Sequence, residues 1–113
     1  MPDKLWKQTE RWYAQLLMGK RNPVALQQRS SPLADVTSEK TMIAAEIKQS
    51  KNPPVKAIRK ALEQAEAGKP TSGYYPIAVF HQTGDRHEND VVCMTLKTAR
   101  ELIPSLKDFE NEE

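Results

Sequence analysis

The stretch LADVTSEKTMIAAEIKQSK, residues 33–51, decides how this chain folds. Two apolar runs, LADVT at 33–37 and MIAAEIK at 42–48, flank the polar TSEKT segment, the pattern of two strands joined by a turn. Each run is interrupted by charge: Asp35 in the first, Glu46 and Lys48 in the second. Strand alternation puts Glu46 and Lys48 on one face and Ile43, Ala45 and Ile47 on the other.

Working outward, 24–29 (VALQQR) reads as a further strand ahead of this pair, and Pro53-Pro54 ends the extended segment and opens a helix from Val55 to Ala67, closed by Gly68 and Pro70. Val55, Ile58, Leu62 and Ala65 form its buried stripe, and Lys56, Arg59, Lys60 and Glu63 lie mostly off it. Residues 77–81 (IAVFH) and 91–96 (VVCMTL) read as two more strands across the polar segment QTGDRHEND, followed by a helix from Thr98, where TARE makes a capping box, until Pro104. At the other end, Asp3 is placed to cap a helix to about Met18, with Gly19 as its stop. The order is α-β-β-β-α-β-β-α, an α/β chain with a sheet of about five strands covered by helices. Residues 1–107 read as one domain without repeats, and 108–113 as an acidic, frayed tail.

The net charge of +2 is unevenly spread. The tail DFENEE holds four acids, which leaves 17 bases against 11 acids elsewhere, and Lys20–Lys60 carries nine bases against three acids. That segment favours a polyanion, although a solvated lysine-rich surface would carry the same charge. No apolar run is long enough to cross a membrane, and the N-terminus lacks a signal peptide's apolar centre. Together with a lone cysteine, Cys93, in an apolar run where a buried thiol is inert, this reads as a cytoplasmic protein.

A pairing that sets Asp35 beside Glu46 gathers two carboxylates and the Lys48 ammonium on one sheet face. Clustered carboxylates repel unless a cation joins them, and oxygen ligands of this kind, with a carbonyl such as that of Ile47 and waters, suit Mg²⁺ or Mn²⁺. Glu10 sits on the same stripe of the first helix as Trp6, Tyr13 and Leu17, and an inward carboxylate wants a partner. The plainer alternative makes Glu46 and Lys48 a solvated strand face, Asp35 a turn acid, and Glu10 a local partner of Lys7 or Arg11. His81 reads as a satisfied core or rim histidine and His87 as a solvated loop residue. No spacing supports a zinc site. Trp6, Trp12 and Tyr13 read as core or dimer surface, and Tyr74 and Tyr75 as loop residues.

Asp35, ten intervening residues, then Glu46-Ile47-Lys48 resembles the core motif of the PD-(D/E)XK nucleases, with Ala34 where the family usually has proline. The helix bearing Glu10, the RSS segment at 29–31 and the helix with Gln64 after the lysine are similar in order to the small archaeal and phage-type Holliday junction resolvases. The resemblance implies a restriction-endonuclease-like core with a mixed five-stranded sheet. It further implies an Mg²⁺-dependent (or Mn²⁺-dependent) endodeoxyribonuclease in which Asp35 and Glu46 bind the metal, Glu10 supports it and Lys48 assists the nucleophilic water. Arg29, Ser30 and Ser31 would contact phosphates, with Lys51, Lys56, Arg59 and Lys60 as a sequence-independent footprint on DNA. Gln64 either approaches the active site or is an ordinary helix-surface residue. A branched DNA substrate, a homodimer and a phage, prophage or prokaryotic setting come with the resolvases. Another small repair nuclease of the superfamily and a catalytically silent DNA-binding module are the competing expectations.

Overall fold

The computed structural model describes residues 5–27 and 32–106. The sheet has five strands in the order β1-β2-β3-β4-β5: Lys20–Arg21, Val36–Ser38, Ile43–Gln49, Tyr75–His81 and Val91–Cys93. Only β3 and β4 run parallel, joined by helix α3 (Val55–Ala67); the other pairings are antiparallel. The chain is therefore α/β with a mixed sheet, as expected.

Helix α1 (Leu5–Leu16) and α3 cover opposite faces of this sheet. On one face Tyr13 and Ala14 pack with Val36, Ala45, Ile47, Ile77 and Val79. On the other, Ala61 of α3 packs with Ala78 and Phe80. Alanine at 44, 45, 61, 65 and 78, all buried, lets both helices approach the strands closely. Because β3 is covered on both sides, Glu46 does not lie on a solvated face; it is 8% exposed and Asp35 is 7% exposed. The solvated-face and turn-acid readings therefore do not hold for these two residues.

The first expected strand is a correction. Residues 24–29 do not extend; Val24–Gln27 forms the short helix α2, and residues 28–31 lie outside the described region. Pro23 presets a helical entry, and Ala, Leu and Gln are good helix formers, so local propensity wins. The place of that strand is taken by the two residues of β1, which pair Lys20 with Thr37 and Arg21 with Val36.

Gly19 is expected as a helix stop, yet the left-handed residue there is Met18, at φ 57°. Gly19 serves close approach instead: a Cβ on it would lie 2.3 Å from the Thr37 carbonyl oxygen. Helix α4 (Leu96–Leu102) starts earlier than the TARE box implies, because the Thr95 hydroxyl accepts from the Thr98 amide at 3.2 Å. It ends at Ile103, directly before Pro104. The Asp3 cap and the acidic tail lie outside the described residues.

Candidate active site

The β2–β3 hairpin brings Asp35 and Glu46 together. Val36 pairs with Ala45 across the antiparallel ladder, so Asp35, one residue earlier, stands opposite Glu46. Side chain and backbone clasp the two arms together: the Asp35 amide donates to Glu46 Oε2 at 3.3 Å, and the amide of Ile47, next to Glu46, donates to Asp35 Oδ2 at 2.8 Å. Lys48, two residues along the same strand face, places Nζ 3.4 Å from Glu46 Oε1 and keeps its side chain 38% exposed. Asp35, Glu46 and Lys48 line a cleft of about 320 Å³ with Pro32, Leu33 and Gln64. Gln64, for which sequence leaves two readings open, thus faces the acids from α3.

The local backbone that holds Asp35 is built from residues the sequence does not single out. Asn22, fully buried, donates from Nδ2 to the Ala34 carbonyl at 2.8 Å and to Thr37 Oγ1 at 3.2 Å. Its amide donates to the Asp35 carbonyl at 2.8 Å. From the other side, the Ala34 amide donates to the Gly68 carbonyl at 3.0 Å, so the end of α3 docks against the residue before Asp35. A Cβ on Gly68 would lie 2.3 Å from the Ala34 nitrogen, which explains a glycine there better than helix termination alone.

Glu10 is 3% exposed, and its ion-pair partner among the described residues is Arg21. Arg21 Nε donates to Glu10 Oε1 at 2.7 Å, and the guanidinium lies 5.5 Å from the Trp6 ring centroid. Sequence reasoning counts Arg21 only among the bases of the 20–60 segment and misses it as the partner of Glu10. Glu10 does not join Asp35 and Glu46 in a single tight donor cluster. Among the described residues, the one group of three His, Cys, Asp or Glu donors lying within 4.8 Å of one another is elsewhere.

The charges nevertheless act on one another. Burial pushes the Glu46 carboxyl up to about 7, and the nearby Asp35 adds to the rise, with Lys48 opposing it. Asp35 is raised by burial against the Ile47 amide, Lys48 and Arg21. Glu10 is also pushed up to about 7, first by burial and then by Asp35, with Arg21 holding it down. Three buried carboxylates thus face two described cations, an arrangement that favours a further positive charge between Asp35 and Glu46.

No protein-family model, curated protein or solved structure matches the chain.

The remaining expected contacts divide. Arg29, Ser30 and Ser31 lie outside the described residues. Lys51, Lys56 and Lys60 are exposed. Lys56, Lys60 and Gln64 repeat every fourth residue along α3, one stripe leading to the cleft. Arg59 departs from it and lines a separate groove of about 720 Å³ with Leu62, Glu63 and Glu66.

On the opposite, α1 face, His81 and His87 both reach Asp90. His81 is the satisfied rim histidine expected. His87 is a correction: its ring stacks on Trp12 at 4.0 Å instead of standing in solvent. Tyr74 is likewise buried, against Ala34 and Ala44. Cys93 is half-buried and its thiol is raised by burial, consistent with an inert residue. Among the described residues no helix is long and apolar enough to cross a membrane.

Proposed function

We propose that this chain is a metal-dependent DNA endonuclease with a restriction-endonuclease-like core, acting as a Holliday junction resolvase. The observation that carries the reading is the buried Asp35–Glu46 clasp, with Lys48 beside it and Gln64 across a shared cleft. A chain that required only a stable core would gain nothing from two mutually repelling carboxylates there.

The donor set fits Mg²⁺ or Mn²⁺. Asp35 and Glu46 offer hard carboxylate oxygens, and burial together with their mutual repulsion leaves a cation deficit at that point. Bound there, the ion would supply Lewis-acid stabilisation of phosphoryl charge and a more acidic water. The chain's own residues do the rest. Asp35 is fixed by the Ile47 amide, so its carboxylate does not rotate away as substrate enters. Lys48, with a side chain 38% exposed and tethered to Glu46, orients the attacking water and donates to the negative charge that grows on the phosphoryl oxygens. Water oxygen attacks phosphorus in line and releases a proton to solvent, the opposite P–O bond breaks, and the leaving oxygen takes up a proton from solvent. Glu10, held by Arg21, acts on Asp35 through its field and not as a clustered ligand. Lys56 and Lys60 lead a DNA backbone towards the cleft. Because a four-way junction presents two equivalent strands, the reading carries a symmetric homodimer, working in a prokaryotic or phage-infected cytoplasm.

The test is cleavage of a labelled four-way junction beside duplex, flap and single-stranded DNA, with Mg²⁺ or chelator and with wild type, Asp35→Asn or Glu46→Gln. Paired symmetric nicks in the junction, absent with chelator and in both folded variants, are expected. Cleavage of another DNA structure moves the function to a different nuclease on the same site. DNA binding without cleavage by any folded form leaves a silent binding module and ends the enzyme reading.

A further inference from the structure

The α1 face of the sheet carries a second cluster with different chemistry. Asp90 Oδ1 lies 2.6 Å from His81 Nδ1, and Asp90 Oδ2 lies 2.9 Å from His87 Nδ1. The Tyr13 hydroxyl donates to the same Oδ2. One donor atom from each of His81, His87 and Asp90 falls within 4.8 Å of the others. The site is sheltered, with side-chain exposures of 8% for His81, 24% for His87 and 2% for Asp90.

The three donors are held by packing beyond their own loop. Trp12, His87 and His81 form a three-ring stack, with centroids 4.0 Å and 4.4 Å apart. Tyr13 meets the His87 ring edge-on. Helix α1 therefore orients a loop that leaves β4 at His81 and returns to β5 after Asp90. The cluster opens onto a cavity of about 280 Å³ lined by Thr9, Trp12, Gln49, His81, Thr83 and His87.

We propose that His81, His87 and Asp90 form a transition-metal site, for Zn²⁺ or an ion of similar preference, distinct from the hard-oxygen pair at Asp35 and Glu46. Two imidazoles and a carboxylate match the ligand classes of such ions, and three protein ligands leave a position for water on the cavity side. The Tyr13 hydrogen bond to Asp90 is the outer-shell support that fixes a ligating carboxylate. On loading, a metal–nitrogen bond replaces each Nδ1–H···O bond and the ring proton resides on Nε2. The ion would clip the 82–90 loop to β4. This inference stands apart from the nuclease reading, since no residue is shared between the two sites.

The experiment uses full-length, tag-free protein stripped with chelator, titrated with Zn²⁺ by calorimetry and with Co²⁺ by visible absorption. With excess Mg²⁺ present to occupy the Asp35–Glu46 pair, one Zn²⁺ or Co²⁺ per chain is expected, with Co²⁺ bands of a low-coordinate site. His87→Phe keeps a ring against Trp12 and should raise Kd beyond the 10–100-fold that outer-shell changes cause, and Tyr13→Phe should fall within about that range. Asp35→Asn should bind as wild type does. In wild type alone, Zn²⁺ should shift the ring ¹⁵N signals of His81 and His87, a readout that depends on no variant folding. Failure of wild type to bind, binding that survives His87→Phe, or unmoved ring signals would overturn the proposal.

Discussion

Replacing Glu46 by glutamine should stabilise the fold while abolishing cleavage, and the gain should depend on pH. The folded-state carboxyl of Glu46 lies at about 7 against an ordinary 4.5. A raised carboxyl leaves the folded state holding more protons than the unfolded chain between those values, so stability falls as pH rises through the window and levels off above it. At about 1.4 kcal/mol per pH unit, the carboxylate costs the fold about 3 kcal/mol by about pH 8. The pull of half-exposed Lys48 is already contained in that value of about 7, so glutamine removes the cost outright. Its amide oxygen still accepts from the Asp35 amide, so that contact survives. The net expectation is a variant more stable by about 3 kcal/mol at about pH 8, a Tm roughly 12 °C higher at about 4 °C per kcal/mol, shrinking to nothing below about pH 4.5. Thermal melts across pH, followed by circular dichroism, measure this. Adding Mg²⁺ should raise the wild-type Tm and leave the variant unmoved. A variant less stable than wild type at the higher pH, or a gap unchanged across pH, would refute the claim that burying this carboxylate outweighs the contacts it makes.

Other substitutions probe the supports. Arg21→Met strands Glu10 without its guanidinium; stability should fall by about 2–4 kcal/mol in urea melts near pH 8. The deficit should be smaller at about pH 6, because Glu10, already at about 7, then carries a proton in both proteins. Asn22→Ala leaves the buried Ala34 carbonyl without its side-chain donor and should cost about 1–3 kcal/mol, with a further loss of cleavage in the folded fraction as the Asp35 segment loosens. Joint replacement of Lys56 and Lys60 by alanine should lower the slope of log affinity against log salt by about 2, while Arg59→Ala, in its separate groove, should leave the slope unchanged.

The central pair is legible in the sequence because its geometry is local. Asp35, immediately before β2, and Glu46, in β3, lie on the two arms of one tight polar hairpin, and the antiparallel register then sets them opposite each other, with Lys48 two residues on. Helix α3 is equally clear in extent, since Pro54 and Gly68 bracket it, but its buried stripe is a correction: Val55 is 70% exposed, and Ala61 and Ala65 are the residues that bury. What escapes detection depends on tertiary partners. β1 has two residues, too few for any periodicity, so neither the Arg21–Glu10 bond nor the Asn22 contacts leave a pattern. VALQQR misleads because its one β-branched residue suggests a strand, while Pro23 and the helix formers that follow Val24 decide the outcome. His87 looks solvated because QTGDRHEND is polar throughout; Trp12, some 75 residues earlier, supplies the surface on which it stacks.

The Asp35–Glu46 clasp also has a kinetic consequence. Its two partners are 11 residues apart in one hairpin, so they meet through a short closure, whereas α3 and the parallel β3–β4 pairing require a long crossover. The carboxylates can therefore come together while still wet, and lose their water only when α3 docks through Gly68 onto Ala34. If docking follows the main barrier, the charge penalty falls after the transition state. Raising pH from about 5 to 8 would then steepen the rate of unfolding and leave the rate of folding nearly still, a separation that the two arms of a chevron plot resolve.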